Sequence, residues 1–289
     1  MIITIDKAAG FCPGVRNAIR KADSMLEKEG SFSCLGSLLH NDKEMGRLGE
    51  KGLKVISHDD IPGLSEKKLL FRAHGEPPET YKLTDEYGVE VIDATCGVVR
   101  KLQKQVQAAA DDMEKAGGQV VIFGKPGHPE VIGLMGHARG LGIVIRSAQD
   151  LSKVDMSKPV RLFSQTTMDE AGFQLITVAI KQQMDKKTTK NNFISYNTIC
   201  PHVSNRAPFL KKFASEHEVI IFVSGRESSN GKKLFRISSE VNPQTYFITE
   251  PAEMKPEWFK GAGSVGISGA ASTPQWLMEE VARKIEALA

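Results

Sequence analysis

At 289 residues the chain is long enough for two or three compact units and a generous core. A net charge of +3 with scattered basic residues gives no argument for a nucleic-acid partner. No run of about 18 apolar residues is present, so no membrane span is expected.

The opening Met-Ile-Ile-Thr-Ile-Asp reads as an alternating strand, Ile2 to Ile5, with no charged leader, so a cytoplasmic protein is expected. Four widely separated cysteines in such a chain suit a metal or catalysis better than disulfides. The first, Cys12, precedes Pro13. Proline is favoured at the first helical position, and Val15, Ala18, Ile19, Ala22, Met25 and Leu26 mark a buried helix face. Alone, Cys12 reads more readily as a buried structural cysteine than as a ligand.

Phe32 to Leu39 is a strand with Cys34 inside it, a core position, and it ends in His40-Asn41. A helix (Lys43 to Lys51) and a strand (Leu53 to Ser57) follow. Leu69 to Arg72 then runs into Ala73-His74-Gly75-Glu76-Pro77-Pro78, a rigid loop around a histidine. The run Val89 to Ala94 leads through Thr95 to Cys96, and Val98, Val99, Leu102 and Val106 give the next helix its buried face. A cysteine between strand and helix sits where exposed N–H groups and the helix dipole favour anionic sulfur, which a soft metal needs.

Gln119 to Phe123 is a buried strand entering Gly124-Lys125-Pro126-Gly127-His128-Pro129-Glu130, where His128 and Glu130 are close enough to serve one ligand. The plain alternative is a turn in which Glu130 only complements a helix dipole. Ile143 to Arg146 and Val160 to Phe163 are further strands, the second ending in Ser164-Gln165-Thr166-Thr167. Asp185 to Asn192 is a surface connection. Phe193 to Ile199 leads to Cys200-Pro201-His202 and a helix with Val203, Ala207, Leu210 and Phe213 inward, the third strand–cysteine–helix unit. Val219 to Val223 ends in a Gly/Ser/Asn stretch through Gly231 that suits a phosphate. Ser264 to Ile267 enters another small-residue loop, Ser268 to Pro274, before a final helix from Gln275 to Leu288.

Three cysteine-bearing units suggest three small α/β domains meeting at a centre: 1–95, 96–192 and 193–289. Zinc would take four ligands, with His202 beside Cys200 as the candidate fourth, but the chain has no CxxC pair. A 4Fe–4S cluster on three cysteines leaves one iron open to a substrate oxygen. With histidines, a glutamate and Gly/Ser loops nearby, that reading gives an iron–sulfur enzyme acting on a phosphorylated alcohol.

The segments GFCPGV, LLHN, RAHGEPP, DATC, GHPEV, SQTT, TIC with SNR, SSN and GAAS-TP together resemble the 4-hydroxy-3-methylbut-2-enyl diphosphate reductase (IspH/LytB) family over nearly the whole chain. The resemblance implies three α/β lobes in a pseudo-threefold, trefoil arrangement around one 4Fe–4S cluster held by Cys12, Cys96 and Cys200. It implies that His40, His74, His128, Ser228, Ser229, Asn230 and Ser272 meet the diphosphate. Glu130 matches the proton-transfer glutamate and Thr166 the threonine beside the substrate hydroxyl, with Thr167 as the alternative. The implied reaction removes an allylic hydroxyl with two electrons, giving isopentenyl and dimethylallyl diphosphates, the last step of the methylerythritol phosphate route. A ferredoxin or flavodoxin is the implied electron donor. Gly97 stands where the family often has proline, and Lys125 where many members carry histidine. Two other readings are a zinc-stabilised, non-redox binding protein for phosphorylated ligands and a non-redox hydro-lyase.

Overall fold

A computed structural model describes residues 1–186 and 192–288. Most of the expected surface connection between Asp185 and Asn192 lies outside the described residues. The chain opens with β1 (Ile2–Ile5) and α1 (Pro13–Glu29). Next come β2 (Phe32–Leu35), α2 (Asp42–Glu50), β3 (Leu53–Ile56), β4 (Lys68–Phe71), α3 (Pro78–Glu86) and β5 (Glu90–Asp93). The middle holds α4 (Gly97–Ala116), β6 (Gln119–Phe123), α5 (Pro129–His137), β7 (Gly142–Ile145), β8 (Val160–Ser164), α6 (Glu170–Asp185) and β9 (Phe193–Tyr196). The last part holds α7 (Pro201–Ser204), α8 (Arg206–Ser215), β10 (Val219–Val223), α9 (Ser229–Val241), β11 (Thr245–Ile248), β12 (Ser264–Gly269) and α10 (Gln275–Leu288). Three four-stranded sheets result: β1-β12-β10-β11, a second made from β2 to β5, and β7-β6-β8-β9. Among the described residues no helix is long and apolar enough to cross a membrane.

By packing, the chain divides into two compact units, residues 1–55 with 205–289, and residues 56–204. In the first unit β10 is the central strand, parallel to both β11 and β12. Its sequence Val-Ile-Ile-Phe-Val is apolar throughout because helices cover both faces. Val219, Ile221 and Val223 pack with Leu277, Met278, Val281 and Ile285 of α10. Phe222 points the other way, to Leu210 of α8 and Leu234 of α9, as strand alternation requires. In the second unit β6 does the same. Val121 and Phe123 pack with Phe173, Ile176 and Ile180 of α6, while Val120 and Ile122 meet Leu102 and Val106 of α4 and Leu134 of α5. β4 and β5 pair in parallel, Lys68 with Glu90 through Phe71 with Asp93.

Three details differ from the sequence reading. β1 pairs in parallel with β12, Ile2 beside Ser264 through Ile5 beside Ile267, so it joins the sheet of the last third and not that of β2 to β5. β2 stops at Leu35, short of Leu39, because Gly36 turns the chain at φ +66°. The helix after Cys200 breaks at Asn205, and Arg206 turns inward, 8% exposed, where Ala207 is only half-buried.

Candidate functional site

In the order β7-β6-β8-β9 the chain leaves β6 toward one side and returns as β8 on the other. The carboxyl ends of β6 and β8 therefore flank a crevice, the place where open α/β sheets bind ligands. The order β1-β12-β10-β11 repeats this between β10 and β12. Most of the residues singled out from sequence fall at these strand ends.

After β6, Gly124 to Gly127 turn the chain and His128 caps α5, its Nδ1 accepting the Glu130 amide at 3.2 Å. Pro129 occupies the first helical position, so the next residue, Glu130, points back toward the crevice. Its carboxyl is 2% exposed. From the end of β8, the Thr166 amide donates to Oε1 at 2.7 Å and the Thr166 hydroxyl donates to Oε2 at 2.7 Å. Burial pushes the Glu130 pKa up to about 7, and the two Thr166 hydrogen bonds oppose that rise without cancelling it. Of the two threonines left open by sequence, Thr166 is the one on Glu130. The Thr167 hydroxyl instead accepts from Gln165 Nε2 at 2.8 Å. Gln165 was not singled out from sequence. It is 1% exposed, and its Oε1 accepts the Lys125 amide at 2.9 Å, tying the loop after β6 to the end of β8. The Lys125 side chain itself faces solvent.

His74 stands edge-to-face with His128, ring centroids 5.4 Å apart. Its loop is fixed by Gly75, at φ +72°, where an added Cβ would fall 2.3 Å from Gln103 Nε2. The buried Glu76 beside it takes His58 Nε2 at 3.2 Å and lies 3.4 Å from Arg72 Nε. Burial raises the Glu76 pKa against the pull of those two partners.

In the first unit, Ser228 caps α9 by accepting the Gly231 amide at 3.0 Å, and Ser229 opens that helix. Asn230 Oδ1 is buried and has no hydrogen-bond partner among the described residues. The Ser272 hydroxyl, from the loop after β12, lies 3.5 Å from both Ser228 Oγ and the His40 carbonyl oxygen. Small polar groups thus gather at the positive end of a 13-residue helix, a setting for an anion. Gly225 allows this closeness, since a Cβ there would meet the His40 carbonyl oxygen at 2.3 Å. Gly225→Ala should therefore displace the His40 turn and cost about 1–3 kcal/mol, read as a lower midpoint in urea. An unchanged midpoint would show that the turn yields freely.

The three cysteines repeat one construction. Each follows an edge strand of its sheet: Cys12 after β1, Cys96 after β5 and Cys200 after β9. Each precedes a helix, which begins at Pro13, Gly97 or Pro201. Each donates its backbone N–H to a loop after a neighbouring strand, Cys12 to Ala271 at 3.3 Å, Cys96 to Ala73 at 3.0 Å and Cys200 to Thr166 at 2.9 Å. Those acceptors are, or adjoin, Ser272, His74 and Thr166. The Cys12 and Cys96 thiols take no part in capping their helices, and all three side chains are half-buried. Three such thiols fit a soft, sulfur-rich metal group. Cys34, fully buried, donates its S–H to the Gly36 carbonyl at 3.3 Å and serves the core. His202 is exposed, on the short α7 helix.

The LytB protein family matches residues 3–286. The chain is 47% identical over 288 residues to a 4-hydroxy-3-methylbut-2-enyl diphosphate reductase of Porphyromonas gingivalis, covering 99% of each protein. It is 45% identical over 285 residues to the reductase of the same name in Bacteroides fragilis, covering 99% of this chain and 97% of that one. Among solved structures it is similar to (E)-4-hydroxy-3-methyl-but-2-enyl diphosphate reductase, described as the terminal enzyme of the non-mevalonate pathway. That likeness has a TM-score of 0.72 at 35% identity and covers 99% of this chain and 100% of the other. It is also similar to the Plasmodium falciparum E-1-hydroxy-2-methyl-but-2-enyl-4-diphosphate reductase, with a TM-score of 0.83 at 25% identity, covering 98% and 87% of the two chains. The chain belongs to the LytB family of 4-hydroxy-3-methylbut-2-enyl diphosphate reductases.

Proposed function

We propose that this iron–sulfur reductase removes the allylic hydroxyl of 4-hydroxy-3-methylbut-2-enyl diphosphate, with Cys12, Cys96 and Cys200 as ligands of one 4Fe–4S cluster. The allylic C–O bond breaks, two electrons and two protons are taken up, and the hydroxyl leaves as water. Isopentenyl and dimethylallyl diphosphates are the products. The observation that carries the residue assignment is the threefold strand–cysteine–helix construction, each cysteine tied through its amide to a polar loop. The bound cluster would supply electrons and Lewis acidity.

The chain's own residues supply the rest. Glu130 holds a proton near neutral pH because it is buried, and Thr166 fixes both of its oxygens, so the acid is aimed before substrate arrives. The hydroxyl, a poor leaving group, takes its proton from Glu130. Ser228, Ser229, Asn230 and Ser272, with His40, His74 and His128, receive the diphosphate as hydrogen-bond donors. The Asn230 side chain reaches it through its amide N–H groups. A small acidic carrier such as ferredoxin or flavodoxin delivers the electrons one at a time, in the cytoplasm. The working lobes follow the three sheets, so the N-terminal strand and Cys12 count with the lobe of 193–289.

Iron, acid-labile sulfide and zinc per chain, measured on protein purified without oxygen, test this reading. About four iron and four sulfide are expected, falling in the Cys96→Ser protein. Roughly one zinc with no sulfide after anaerobic reconstitution would remove the cluster from the mechanism.

A further inference from the structure

Glu44 is a carboxylate with no place in the chemistry above, yet it is 1% exposed. It sits in the first turn of α2, directly after His40 and Asn41. Asn41, itself 2% exposed, caps that helix by accepting the Glu44 amide at 3.0 Å. The Glu44 carboxylate accepts Arg47 Nη2 at 2.6 Å and Arg47 Nε at 3.1 Å, and Arg47 in turn holds Asp23 through two bonds of 2.9 and 3.0 Å. The remaining donor comes from α10. Trp276 Nε1 reaches Glu44 Oε2 at 2.7 Å. Trp276 stands four residues after Ser272, and between them Thr273 Oγ1 donates to the Val223 carbonyl at 2.7 Å, fixing the loop to the end of β10. The contacts close a ring: Ser272 to the His40 carbonyl, His40 through Asn41 to Glu44, Glu44 to Trp276, and Trp276 back along the chain to Ser272.

We propose that Glu44 and Trp276 are positioning residues for the diphosphate cradle, their hydrogen bond setting the spacing between the His40 turn and the Ser272 turn. A charge-assisted bond from an indole is short and directional, and the Arg47–Asp23 pair keeps the acceptor from swinging away. The proposal rests on the reading that His40, Ser228, Asn230 and Ser272 take the diphosphate.

The experiment uses the cluster-loaded enzyme and two readouts, inorganic diphosphate affinity by calorimetry and steady-state kcat and KM. Trp276→Phe keeps the ring and deletes the donor. It should weaken diphosphate binding and raise KM by roughly tenfold, the factor that corresponds to ~1.4 kcal/mol, with kcat within about twofold. Glu44→Ala should weaken binding at least as much, and Glu44→Gln, which keeps an acceptor for the indole, should recover part of it. Trp258→Phe, at a half-buried tryptophan stacked on Tyr246 and outside these contacts, serves as the tryptophan control. A lower melting temperature with unchanged diphosphate affinity in both Trp276→Phe and Glu44→Ala would overturn the clamp. Ser272→Ala separates the two readings. If it weakens diphosphate binding while Trp276→Phe does not, only the clamp falls. If Ser272→Ala has no effect either, the cradle itself is misplaced and the clamp falls with it.

Discussion

Glu130→Gln lowers kcat by about two to four orders of magnitude while leaving KM and iron content near those of the parent, the range that loss of a positioned general acid commands. Glutamine keeps the size of the side chain, an acceptor for the Thr166 amide and a group for the Thr166 hydroxyl, so the loss isolates the proton. The parent and the variant should also differ in pH profile. Glu130 delivers its proton in the acid form, and with a pKa of about 7 that form declines as pH rises through neutrality. The parent's kcat should therefore fall on the alkaline side with a limb near pH 7, and the residual rate of the variant should lack that limb. Stability supplies an independent check. The folded pKa stands above the ordinary carboxyl value of 4.5, so the unfolded chain releases this proton first. The stabilisation is whole below about pH 4.5 and is lost as pH rises through about 7. Relative to the parent, Glu130→Gln should gain on the order of 3 kcal/mol across that window in the cluster-free protein. Turnover within threefold of the parent would take Glu130 out of the mechanism.

The largest effect on stability should come from Arg206. Its guanidinium is 8% exposed and meets Asp6, 6% exposed, at 2.5 Å. Ser268 bridges the two, accepting from Arg206 at 2.8 Å and donating to Asp6 Oδ2 at 3.0 Å, while Asp6 Oδ1 accepts the Ala8 amide at 2.9 Å. Arg206→Met removes one charge and leaves Asp6 buried alone, which costs about 3–5 kcal/mol. The urea midpoint of the cluster-free protein should drop accordingly. Converting Asp6→Leu in the same chain removes the stranded charge and should restore most of the loss, because a buried pair is expensive chiefly when broken. A single-variant cost under about 1 kcal/mol would mean that water reaches the pair.

The parts legible in the sequence share a local cause. Cys12, Cys96 and Cys200 could be placed between strand and helix because apolar period changes within a few residues on either side of each. The polar loops after β6, β8, β10 and β12 were legible for the same reason, since glycine, serine and proline punctuate strand ends. The rest depends on pairings that no local pattern carries. Nothing near Ile2 names Ser264 as its neighbour. Nothing near Thr166 or Thr167 tells which one faces Glu130, because adjacent residues at a strand end differ only in direction, and that is set by the helix across the crevice. Gln165 and Glu44 read as ordinary surface polar residues until the loops they join are brought together. Arg206 sat in a segment noted only for its likeness to the family, and its partner lies 200 residues away.

The pairing of β1 with β12 governs how this enzyme comes off the ribosome. Asp6 and Ser268 are 262 residues apart in the chain. At about 5–20 residues per second, the opening strand waits on the order of tens of seconds for the neighbour that will hold it. The sheet of β6 to β9 is drawn from one continuous stretch and can close while synthesis continues. Cys12 emerges first of the three cysteines and is housed last. Throughout that interval it hangs on an unpaired, isoleucine-rich segment, open to chaperones and to oxidants alike.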